Sequence, residues 1–268
     1  MEIVGDILAG ALRREPFGFE RLRVPTETPR FDPGPLGVAV PAPSWDDFAP
    51  VRPGGISRIV RPGRYRGRVS AARARFAAAG SEHARADAER QRALAAAKAK
   101  YDRKVTEHRA KAVRRNAFVA ARQAAFAAGE ATAVEWFAER ILAASPYPKD
   151  FPRSRSVSCQ DGAAVVEFEL PRESVVSGAD YEWVTACIAL RTLHEIFQAT
   201  PADLVATVVF NGWVVAPDPA TGQLGRAELL SVRADRAAFG ELNLAEVDPV
   251  ACVSHLCRAL NLLRTRRR

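Results

Sequence analysis

His255 stands three residues after Cys252 and two before Cys257, the tightest grouping of metal-ligating residue types in a chain with four histidines and four cysteines. On a helix, positions 252 and 255 share a face, but 257 sits about 140° round from 252. Three ligands so splayed cannot close on one zinc ion without unwinding the helix, and zinc signatures place their pairs on turns. The grouping therefore reads as small buried thiols beside a surface or capping histidine. No metal and no cofactor is expected. Nucleophilic chemistry fares no better: there is no G-x-S-x-G elbow, no P-loop and no G-x-G-x-x-G. His194-Glu195 sits in a helical stretch where Arg191 and Glu195 are i,i+4 neighbours, a spacing for ion pairing rather than acid–base work. Metal-dependent cleavage of phosphodiesters on a strand would need an acidic or amide residue two before a lysine, to hold Mg²⁺ beside the attacked phosphate. Of the five lysines, Lys98, Lys100, Lys104, Lys111 and Lys149, only Lys104 has such a neighbour, in "DRK" (102–104). That triplet falls inside a helix-forming stretch, so no catalytic residue is assigned.

What the chain has in quantity is positive charge. The formal net charge is +8, yet residues 61–126 hold 18 Lys and Arg against 5 Asp and Glu, leaving the remainder at −5. A localised positive field is what a polyanion would feel. The same charge also serves merely to keep a long exposed helix in solution. The candidate phosphate contacts are Arg85, Arg92, Arg103, Lys104, Arg109, Lys111, Arg114 and Arg115.

The elements that carry these residues follow from composition. Residues 1–67 are rich in proline and glycine ("VPTETPRFDPGPLGVAVPAPSWDDFAPVRPGG"), which forbids helix and inner strand. This arm is expected to be extended or disordered, with Phe17, Phe19, Phe31, Trp45 and Phe48 available as anchors. Residues 68–145 contain no proline and are dominated by Ala, Arg, Glu and Lys, the strong helix formers. One long basic helix is expected, with Gly80-Ser81 and Gly129 as the places to bend or break. Val105, Ala112, Val119 and Phe126 keep a seven-residue step, as do Leu94 and Tyr101. His108 and Arg115 fall on the complementary seam, so any coiled coil is weak.

Residues 146–268 read as a small mixed domain. "AAVVEFELP" (163–171) alternates as a strand, entered by an Asp161-Gly162 turn. Residues 180–201 form a helix apolar on two sides, hence buried. Strands follow at 203–215 and 227–234, joined by a loop with Gly222 free to take positive φ. Asp248 caps a last helix with Pro249 at its first position. The fold class is α+β: a long Ala/Arg-rich, coiled-coil-like helix, then a small mixed domain with antiparallel strands and two packed helices.

The blocks "AVEWFAERILAASPYPKDFP", "EFELP", "ACIALRTLHEIFQATPADLVATVVFNGWV", "DPATG", "LLSVRA" and "NLAEVDPVACVSHL" resemble the non-catalytic N-terminal portion of actinobacterial restriction endonucleases of the Mrr-like type. The resemblance covers about residues 68–256. It implies an arginine- and alanine-rich helix before a small mixed domain, with the nuclease domain following. None of these blocks bears a catalytic residue, so none is carried over. Two departures stand out. The stretch between "ELP" and "ALRTLHEIF" is shorter here, and the chain stops within a dozen residues of "HL", where such relatives continue with a proline–histidine–tyrosine run. Codons for the Asn-Leu-Leu-Arg-Thr-Arg of "NLLRTRRR" can encode Gln-Pro-Pro-Pro-His-Pro in another frame, so a frameshift before a nuclease-coding stretch is an expectation for the locus; an evolved basic tail that grips an anion is the alternative.

The expectation is thus a DNA-binding, regulatory or targeting module of a restriction system with no nuclease core of its own. DNA is the expected partner, together with a nuclease or a second copy joined through the long helix. The alternative is a structural protein that self-associates through that helix without nucleic acid. The absence of a secretory signal, of a membrane-length apolar stretch and of a dense cysteine framework places the chain in the cytoplasm, with no membrane partner.

Overall fold

The computed structural model describes residues 7–51, 62–176, 180–218 and 220–265. Helices α1 (Ile7–Leu12), α2 (Pro62–Ala127) and α3 (Ala131–Ala144) precede strands β1 (Arg155–Gln160) and β2 (Ala163–Glu169). Helix α4 (Tyr181–Ala199), strands β3 (Thr207–Pro217) and β4 (Leu224–Asp235), and helices α5 (Arg236–Gly240) and α6 (Pro249–Thr265) complete the chain. The fold is α+β. The arginine tail beyond Thr265 lies outside the described residues.

The chain divides into two compact units, one of residues 1–23 and 115–268, the other of residues 24–114. In the first, a four-stranded sheet has the order β1-β2-β3-β4. Its outer pairings are antiparallel, but β2 and β3 run parallel. The parallel pair needs a crossover, and α4 supplies it. This explains the helix's composition: Ile188, Leu190, Leu193 and Ile196 are all fully buried against a core that includes Val166, Phe168 and Phe210. Asp180 caps α4 by accepting from the amides of Glu182 and Trp183, at 3.0 and 3.4 Å. At the other end of the chain, the Ala251 amide donates to Asp248 Oδ1 at 2.8 Å, the expected cap of α6.

Residues 7–23, grouped by composition with the proline-rich arm, belong to this core. Ile7, Leu8 and Ala11 of α1 are buried. Phe19 stacks on Phe137 with ring centroids 4.1 Å apart and meets Phe126 edge-on at 5.3 Å. Arg191 of α4 donates to the Ile7 carbonyl at 3.1 Å, tying the start of the chain to the middle helix. Strand β1, like the short helices α1 and α5, was not announced by the sequence, and α1 falls in the arm expected to be extended or disordered. "RSVSCQ" alternates, but with serine and glutamine where strand-forming residues would advertise it, and only Val157 is buried.

Helix α2 runs straight through Gly80-Ser81, where Ser81 Oγ donates back to the Ala77 carbonyl at 3.0 Å. The break comes at Gly129, whose φ of +76° no helix tolerates. A helical glycine merely costs about 1 kcal/mol; a left-handed one ends the element.

Gly212 lies at the irregularity in the β3–β4 register. A Cβ there would sit 2.6 Å from Leu170 Cδ1 and 3.0 Å from Phe210 Cε1. Gly212→Ala is expected to destabilise the fold by about 1–3 kcal/mol through overpacking. Urea unfolding followed by tryptophan fluorescence measures it, with a lower midpoint as the expected outcome.

Candidate nucleic-acid interface

The second unit consists of residues 24–51 laid along α2 as far as Arg114. The arm runs antiparallel to the helix, and its main-chain carbonyls are the acceptors. His108 donates to Pro25 at 3.0 Å, Tyr101 to Pro29, Arg90 to Leu36 at 2.7 Å and His83 to Val40 at 2.8 Å. Aromatic contacts reinforce both ends: Phe31 with Tyr101 at 5.4 Å, and Trp45 and Phe48 with Phe76, each at 5.7 Å. From His83 to His108 the helix rises about 37 Å. Fifteen arm residues cover that distance, about 2.5 Å each, close to a polyproline chain's rise of about 3.1 Å. Part of the shortfall is taken up by a 3₁₀ turn at Gly34–Gly37.

Phe76, His83, Asp87, Arg90, Leu94, Tyr101 and Val105, all half-buried or in contact with the arm, fall within one sector of the helix about 60° wide. Arg90 is pinned there by Asp87, whose Oδ1 accepts from both Nε and Nη2 at 2.9 and 2.8 Å. Those bonds hold the Asp87 carboxyl below the ordinary carboxylate range.

The candidate phosphate contacts sort themselves around the opposite side. Arg85, Arg92, Arg103 and Arg114, separated by 7, 11 and 11 residues, project within a sector about 40° wide, diametrically across from the arm. All four are exposed. Lys104 and Lys111 are exposed on a flank about 80–100° away, joined by Arg75 and Lys100, which sequence reasoning did not single out. Arg109 points elsewhere, about 120° from the stripe on the other flank. Arg115 lies in the first unit, half-buried, with its guanidinium 5.9 Å from the Phe118 ring centroid. The eight residues therefore do not form one surface; four form a stripe, two border it and two stand apart.

Among the described residues, none of these cations forms an ion pair. Arg92 Nε donates to the Ala88 carbonyl at 3.2 Å, a bond along the helix itself. Glu82, Glu89 and Glu107 lie on the same side of α2 about 40–60° from the stripe, exposed and likewise unpaired. The stripe is thus a net positive edge whose charge is left for solvent or a partner.

Several pairs of chemistry-bearing residue types point apart or are spent on structure. Asp102 and Lys104, two residues apart on a helix, diverge by about 160° and cannot serve one phosphate. No group of three or more His, Cys, Asp or Glu converges among the described residues. Cys252 is buried and His255 exposed, while Cys257 Sγ lies 3.5 Å from the Ser231 carbonyl. Arg191 Nε pairs with Glu195 Oε1 at 3.0 Å, and Ser145 Oγ donates to the same oxygen at 2.9 Å. Burial pushes the Cys187 thiol up to about 12 and, with help from the Glu135 charge, Cys159 to about 11.

No known family model, no curated protein and no solved structure matches this chain.

A raised thiol pKa means a protonated, unreactive sulfur. At pH 8 the Cys187 thiolate fraction is expected to be about 10⁻⁴. Iodoacetamide labelling followed by mass spectrometry should find Cys187 and Cys159 modified far more slowly than free cysteine, and at the free rate only after unfolding in guanidinium.

Proposed function

We propose that this protein is a DNA-binding module, the targeting or regulatory part of a restriction system, working in the cytoplasm without a nuclease core of its own. One observation carries the DNA-binding half of the reading: Arg85, Arg92, Arg103 and Arg114 form an exposed, unpaired cationic edge about 43 Å long on the side of α2 away from its arm. Contacts of this kind neutralise phosphates without reading bases, and their free energy comes largely from released counterions. The restriction-system half rests on the resemblance of the "VVFNGWV", "DPATG" and "VDPVACVSHL" blocks to Mrr-like restriction endonucleases. A nuclease acting together with this chain would supply the cleavage chemistry.

The arm bears on the alternative. Self-association through α2 would need its apolar seam, and Leu94, Tyr101 and Val105 of that seam are already half-covered. The cationic edge, by contrast, is free for a polyanion.

Fluorescence anisotropy with a labelled duplex tests the proposal. Affinity is expected to fall linearly in log–log form as salt rises, with no preference among sequences. Replacing the four stripe arginines by glutamine should lower the salt slope by about 3 to 4, one counterion per lost phosphate contact. Absence of binding at low salt overturns the reading. Sedimentation at rising protein concentration serves the rival: dimers forming without nucleic-acid affinity would put the structural protein in its place.

A further inference from the structure

A separate concentration of cations lies in the first unit, at the end of α3. Where α3 ends and β1 begins, a cavity of about 260 Å³ is lined by Glu139, Arg140, Leu142, Ala143, Arg153 and Arg155. Three guanidiniums face one carboxylate. That carboxylate engages weakly: Glu139 Oε2 is 3.8 Å from Arg140 Nη2, and both side chains are about two-fifths exposed.

Arg155 is fixed in place from behind. Its Nη1 donates to the Leu142 carbonyl at the end of α3. Its guanidinium lies 4.7 Å from the ring centroids of both Tyr147 and Phe168. Held this way, Arg155 keeps Nε and Nη2 shielded from solvent without an acceptor among the described residues, and Arg140 Nε is in the same condition. Burial, with the nearby charge of Arg153 adding to it and Tyr147 and Glu195 partly offsetting it, makes the charged form of Arg155 harder to hold than usual. Buried donors left unmade are costly, about 1–3 kcal/mol each and more when charged. An anion entering the cavity would offset the mutual repulsion as the side chains stand, and would meet the shielded donors once those side chains turn towards it.

The ligand class follows from donor geometry. A guanidinium presents a flat fork of N–H groups that matches an oxyanion with several acceptor oxygens, and two or three forks around one pocket match a tetrahedral one. We infer that the Arg140–Arg153–Arg155 cleft binds a phosphate group. Arg155 is the preset donor, and the more exposed Arg140 and Arg153 close on the anion from the rim. The inference is independent of the cationic edge on α2, which lies in the other unit. The phosphate could arrive free, at the end of a nucleic-acid strand, or within its backbone; the chemistry of capture is the same.

Isothermal titration of the full chain separates these cases. Inorganic phosphate is expected to bind saturably, one per chain, and at least tenfold more weakly to Arg140→Gln and Arg153→Gln. Arg103→Gln and Arg114→Gln, on the α2 edge, should bind phosphate like the unaltered protein. A 5′-phosphorylated hexanucleotide binding more tightly than its unphosphorylated twin identifies the terminal phosphate as the source. Equal binding of the two, with both lost in Arg153→Gln, identifies the backbone; loss of neither oligonucleotide alongside loss of inorganic phosphate identifies the free ion. Arg153 is exposed, so its variant folds, and circular dichroism checks that. No saturable phosphate binding at millimolar concentration, or binding untouched by both cleft variants, overturns the inference while leaving duplex binding by α2 to be judged on its own salt slope.

Discussion

A stretch of main chain can lie along a helix only if its polar groups are satisfied there, and proline makes that easier by removing the donor and leaving the acceptor. Residues 25–43 hold six prolines, at 25, 29, 33, 35, 41 and 43. Their segment therefore offers mainly carbonyls, and α2 answers with side chains that donate: two histidines, a tyrosine and an arginine. Everything else about the second unit depends on this exchange. It half-covers the apolar sector of the helix, and it leaves the cations on the far side exposed and without an ion pair among the described residues. A helix this rich in alanine has little else to bury, so without the arm its few large side chains would face water.

The globular unit rests on a different principle. A parallel strand pair demands a crossover helix buried on most of its circumference, and α4 is apolar enough to be one. The single charged side chain deep in that helix, Arg191, is 3% exposed and is matched by Glu195, by the Ile7 carbonyl and by the Tyr147 ring 4.5 Å away. A buried charge survives only with such a set of partners.

Much of this was legible in the sequence, because it follows from local rules. The β2 alternation, the buried character of α4, the Asp248 cap and the Gly222 turn all depend on neighbours within a few residues. Gly129 and Gly80 show the limit: both are glycines in an alanine-rich run, and only the backbone conformation distinguishes a tolerated one from a terminator. The seven-residue spacing suggested a seam for another helix, whereas the spacings of 7 and 11 that hold a straight stripe were present in Arg85, Arg92, Arg103 and Arg114 and were not used. Phe17 and Phe19 are anchors, as their type suggested, but composition averaged over a window could not name the surface they meet, which is set by Phe126 and Phe137 more than a hundred residues away. The Arg140, Arg153 and Arg155 cleft was hidden for the same reason, being assembled from a helix end and a strand start that meet only after folding.

The bond between Arg191 and Ile7 joins groups 184 positions apart. Synthesis proceeds from the N-terminus at about 5–20 residues per second, so α1 leaves the ribosome many seconds before the side chain that will hold it. During that interval Ile7, Leu8 and Ala11 have no core to enter. Helix α1 is thus among the last parts to acquire its native surroundings, and a nascent chain stalled before residue 191 would leave its apolar face exposed to whatever chaperone is near.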